Sequence, residues 1–174
     1  GVICLLVLHL LLGSHLSAYE QRSNYTTTDI HGWRVLLSPR VQADPNLQKS
    51  MLGVLSAQLE SVARRVRPSE LRIMRQTEIW LEVSDPETER RNIAGHYHPY
   101  KAWLLENGYN PDKHRDIELN RRFALEPLTG SMMFHELVHA LHDRKFGYDN
   151  AEIVALFQHA IRKNPSVQDR CAYR

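Results

Sequence analysis

The chain has 174 residues, with 22 lysines and arginines against 20 aspartates and glutamates, for a formal charge of +2. That length supports one domain with a real core and falls short of two. The arginine pairs Arg64-Arg65, Arg90-Arg91 and Arg121-Arg122 are scattered and have no aromatic ladder beside them. Such a surface excludes the electrostatic footprint of a nucleic-acid or anionic-membrane partner.

Residues 2–12 form an apolar run too short to span a bilayer, so no stable membrane span is expected. Small residues follow through Ala18, and the first charge is Glu20. Residues 1–18 therefore read as part of a secretory signal peptide lacking its basic start, which places a mature domain, 19–174, in the secreted, extracellular class. Cys4 lies in that leader, which leaves Cys171 without an intramolecular disulfide partner.

Residues 19–29 are polar and threonine-rich and read as an N-terminal tail. Trp33, Val35 and Leu37 alternate with polar residues as a first strand does. Asp44-Pro45 opens a long amphipathic helix with Leu47, Met51, Val54, Leu55, Leu59, Val62 and Val66 in one stripe, and Pro68 stops it. A second strand is expected over 77–83, followed by a charged loop to Arg91. Gly95-His96-Tyr97-His98-Pro99 reads as a short edge strand, because proline cannot donate inside a ladder. One or two helical turns over 101–107 end at Gly108, and a further short strand covers 116–120.

The run from Ser131 to Lys145 contains His135-Glu136-Leu137-Val138-His139. Histidines four apart on a helix project from one face, so both imidazoles can reach one metal ion while Glu136 takes a proton from a water on it. Thr129 or Ser131 can cap this helix and Gly147 can close it. Met133, Phe134, Leu137, Ala140 and Leu141 form its expected apolar back. Asp149 or Asn150 caps a last helix with Ile153, Leu156, Phe157, Ala160 and Ile161 on one face, ended by Asn164-Pro165. The fold class is α+β, with a small sheet, a long backing helix and the motif helix.

A catalytic zinc takes three protein ligands and keeps a water, so a third must join His135 and His139. His142 lies about 10 Å further along a straight helix, and no glycine turns the chain before Gly147. It is not the third ligand. Asp143 fails for the same reason, and either accepts a hydrogen bond from His139 or lies in solvent. Glu152 is the nearest carboxylate on the following helix and a weak fallback, being near the exit end of the motif helix.

The run 135–143 followed by 146–153 resembles a group of secreted zinc metallopeptidases of the zincin class, gluzincin-like in their HExxH motif. Ile79-Trp80-Leu81, Tyr97-His98-Pro99, 103–108 and Ile117-Glu118 extend the resemblance over most of the chain from Asp29 onward. It implies a zincin-like catalytic domain whose third ligand is a glutamate on a later helix, past 164–174, so the chain reads as a fragment. It also implies hydrolysis of a peptide or protein substrate, with Zn2+ on His135 and His139 and Glu136 as general base. Other divalent ions also bind a histidine pair, so zinc is inferred from the motif. Tyr97 or His98 could donate to the oxyanion or simply pack. Glu118, if its strand aligns the substrate, would favour basic side chains. Two rivals stand beside this reading: a non-catalytic secreted binding domain with a degenerate zincin fold, and a domain whose motif is accidental.

Overall fold

The computed structural model describes residues 19–84 and 86–163. The expected leader, Asn164-Pro165 and Cys171 lie outside them. None of the helices among the described residues is long and apolar enough to cross a membrane.

Five strands form one mixed sheet in the order β1-β2-β3-β5-β4. β1 (Thr26–Ile30) and β2 (Trp33–Leu37) pair antiparallel around His31-Gly32, both at positive φ, the two-residue turn whose twist suits a hairpin. β1 corrects the expectation of a polar tail. Four of its five residues are exposed, so it carries no apolar signal, and its β-branched threonines suit the extended backbone. β3 (Ile79–Leu81) and β5 (Ile117–Leu119) continue the sheet in parallel, and β4 (Gly95–Tyr97) closes it antiparallel to β5. β4 is thus the edge strand expected of His98-Pro99, and β5 lies inside the sheet.

Between β2 and β3 the chain forms α1 (Pro39–Gln42), α2 (Pro45–Arg65) and α3 (Pro68–Met74). Asp44 caps α2 by accepting from Leu47 N–H. Pro68 ends α2 as expected and also opens α3 from the first helical turn, where a missing N–H costs nothing. α4 (Pro86–Arg91) stands in the stretch expected as a charged loop, and α5 (Lys101–Glu106) precedes Gly108, whose φ is +74°. The last helices are α6 (Met132–Phe146) and α7 (Ala151–Lys163).

The two sheet faces differ in chemistry. Val35, Leu37, Ile79, Leu81, Ile117 and Leu119 pack on one face against α2 and α6, forming the core with Leu55, Leu59, Met133, Leu137 and Ala140. Trp80, His96, His98 and Glu118 lie buried on the other face. There Trp80 meets Tyr25 edge-on at 4.9 Å, and His98 stacks with Trp103 of α5 at 6.2 Å. Covering both faces explains why Trp80 and Leu36 are buried despite their alternation with core residues.

α7 buries none of its residues. On α6, Phe134 is exposed although it was expected in the apolar back. Its place is taken by Glu136, which is 2% exposed. Position 136 lies one helical turn from Met133 and Ala140, so it shares their inward face.

Candidate active site

α6 begins at the rim of the core and is held there by α2. The Gln58 amide donates to Pro127 C=O at 2.8 Å and accepts from Met133 N–H at 3.0 Å, supplying a bond that the first turn of a helix lacks. A Cβ on Gly130 would sit 2.7 Å from the Gln58 amide nitrogen and 2.8 Å from Pro127 O, so glycine is required for this approach. Ser131 is the N-cap without a side-chain bond, and Gly147 closes the helix at φ +82° with its N–H on Asp143 C=O.

From this helix His135 and His139 converge, with their Nε2 atoms 3.1 Å apart and their rings edge to face at 4.7 Å. Two donors each about 2.0–2.1 Å from one tetrahedral ion would stand roughly 3.3 Å apart, so the spacing of the pair suits a shared zinc. Burial, then the neighbouring His135 and His142 rings, push the His139 pKa down to about 4. A neutral imidazole has the lone pair that a metal needs.

Glu136 points to the other side of the helix edge. Its Oε2 accepts the Tyr97 backbone N–H at 2.9 Å. In the β4–β5 ladder His98 N–H donates to Asp116 C=O and Asn120 N–H to Ala94 C=O, so even-numbered residues of β4 bond inward. Gly95 and Tyr97 therefore present their backbone groups to the open edge, and Tyr97 uses its N–H to hold the carboxylate. A cleft of about 650 Å³ runs along this edge, lined by Ala94, Gly95, Arg122, Met132, His135 and Glu136 among others. Gly95 admits no side chain, since a Cβ would meet Glu118 O at 2.3 Å.

The remaining candidates fall elsewhere. Tyr97 OH donates to Asp143 Oδ2 at 2.6 Å and Arg115 Nε donates to the same oxygen at 2.8 Å. Burial and then the Asp143 bond raise the Tyr97 phenol, so it serves as a strut between β4 and α6. His98 is on the opposite sheet face, its Nε2 3.0 Å from Glu118 Oε2. His98 and the Tyr97 hydroxyl thus follow the packing alternative that the sequence left open, and neither is an oxyanion donor. Glu118 is 2% exposed on an interior strand and cannot select substrate side chains. His142 stacks on Tyr148 at 5.5 Å and 21°, and Glu152 is exposed in the first turn of α7. Among the described residues no third ligand joins His135 and His139; the group that could hold a metal through three donors is His96, His98 and Glu118.

Tyr148 was missed in the sequence. Its ring lies 6.2 Å from that of His139 and 6.4 Å from that of Tyr97. Burial raises its phenol pKa, and the Glu136 carboxylate adds to the shift, so the hydroxyl stays protonated beside the pair. A tyrosine after a helix-closing glycine carries no sequence signal; only Gly147, by turning the chain, brings it back over the imidazoles. No family model matches the chain, and neither a curated protein nor a solved structure is significantly similar to it.

Proposed function

We propose that this domain is a secreted zinc-dependent peptidase, with His135 and His139 as metal ligands and Glu136 as general base. The observation that carries this reading is the convergence of two imidazole nitrogens to 3.1 Å, one of them on His135, which lines the same cleft as the buried Glu136. A purely structural zinc needs no carboxylate there. The resemblance implies a glutamate as the third ligand.

When bound, the metal supplies an acidified water and a Lewis acid for the scissile carbonyl. Glu136 takes the proton of the attacking water and returns it to the leaving amine. The Tyr97 N–H fixes the carboxylate by its Oε2 while that proton moves. The free backbone of β4 at Gly95 accepts an extended peptide as an added strand, with α6 as the other wall of the cleft. Tyr148, protonated and beside His139, donates to the oxygen that gains charge.

The test is the Glu136→Gln variant of the full chain, assayed on a quenched-fluorescence peptide library alongside metal analysis. The reading expects zinc retained and turnover reduced by about 10³-fold or more. His135→Ala and His139→Ala should each lose the metal. A wild-type protein that binds zinc and cleaves nothing would instead favour the non-catalytic binding domain.

A further inference from the structure

The face of the sheet turned away from α6 carries a second set of metal-binding donors. His96 on β4 and His98, one residue past its end and still bonded to Asp116, alternate along extended backbone, so both project to the same side, and Glu118 is the direct cross-strand partner of His96 on β5. Their rings meet edge to face at 4.2 Å. All three side chains are buried, and one donor atom from each lies within 4.8 Å of the others. Two imidazoles and a carboxylate form a donor set that suits zinc and neighbouring divalent ions.

We propose that His96, His98 and Glu118 form a second divalent-metal site, structural in role and separate from the pair on α6. Bond lengths near 2.1 Å require donors roughly 3.3 Å apart, so side-chain rotation has at most about 1.5 Å to close from a separation within 4.8 Å. His98 Nε2 and Glu118 Oε2 are already 3.0 Å apart, and the ion takes the place of the proton they share. Burial keeps His98 neutral against the pull of Glu118.

Charge in the surroundings is compatible with an added cation. Lys113 Nζ bridges Glu82 Oε1 at 2.8 Å and Glu118 Oε2 at 3.0 Å. Burial works to lower its pKa, but Glu118 and Glu82 outweigh it, and the ammonium stays charged. One ammonium faces two buried carboxylates, which leaves a negative charge in a region screened from water. Glu118 can hold Lys113 and a metal together, because a carboxylate offers about four lone-pair positions on its two oxygens. The ion would tie β4 to β5 at the strand whose Tyr97 N–H holds Glu136. This proposal is independent of the peptidase reading, since it uses none of the α6 residues.

The full-length His135→Ala/His139→Ala double variant isolates the site. It is stripped with a chelator, loaded with Zn2+ or Co2+, desalted and analysed for metal. One bound metal per chain is expected, with a thermal midpoint raised by about 5–10 °C in excess metal and lowered again by chelator. Adding Glu118→Gln or His98→Ala should abolish both effects. Because those variants could fail to fold, the visible spectrum of the Co2+-loaded double variant gives a second readout: bands of a nitrogen-and-oxygen site of low coordination are expected. A double variant that retains no metal, shows no Co2+ bands and keeps an unchanged midpoint overturns the site, whatever the wild type hydrolyses.

Discussion

His139 is kept neutral far into acid, with its pKa near 4, first by burial and then by the His135 and His142 rings. In the unfolded chain it takes a proton near its ordinary 6.5. Between these values the unfolded state binds more protons, so this residue makes the metal-free fold lose stability as pH falls from about 6.5 to about 4, after which the effect levels off. An NMR titration of the metal-free protein should place the His139 midpoint near 4, and His139→Ala should flatten that part of the stability curve. Tyr148→Phe removes a hydroxyl and almost nothing else. If the phenol donates in the transition state, kcat falls by about 10- to 100-fold with KM and zinc content unchanged, whereas a packing role would leave kcat intact. The two imidazoles and Glu136 were legible because a helix repeats at a known period. Tyr148 was not, nor was the His98–Glu118 contact, whose partners stand 20 residues apart and meet only through strand pairing.

At the level of elements, α2 acts as more than a hydrophobic backing. Gln58, 1% exposed on its apolar face, satisfies both the opening of α6 and the loop before it. Gln58→Ala would leave the buried Met133 N–H and the Pro127 carbonyl without that partner. A loss of about 1–3 kcal/mol in urea unfolding is expected, at unchanged m-value. The long helix, the edge strand and the motif helix were readable because each shows a clear apolar period or a proline at a telling place. β1 was hidden because its threonines face solvent, and α3 because the proline that stops one helix also begins the next. α4 was hidden by its charged composition, Pro-Glu-Thr-Glu-Arg-Arg.

Across the whole molecule, stability is concentrated where α2, α3 and α6 pack together on one face of the sheet. α7 adds little, since it leaves Leu156 63% exposed and buries no side chain. Hydrogen exchange should therefore find the slowest amides in β3, β5, α2 and α6, and fast exchange throughout α7. Equal protection of α7 in the isolated chain would show that this division is wrong. The α+β class followed from the apolar patterning, but the placement of a polar cluster behind the sheet did not. Period-two alternation shows which residues share a face, and it says nothing of what a distant segment such as Lys113 lays over them.

The grip on Glu136 comes from the peptide nitrogen of position 97, not from a side chain. Mutation can strip the phenol from Tyr97 and loosen its strut to Asp143, yet every replacement except proline still presents that hydrogen to the carboxylate. Drift at this site can therefore retune how firmly the sheet rim leans on the helix while sparing the orientation of the base.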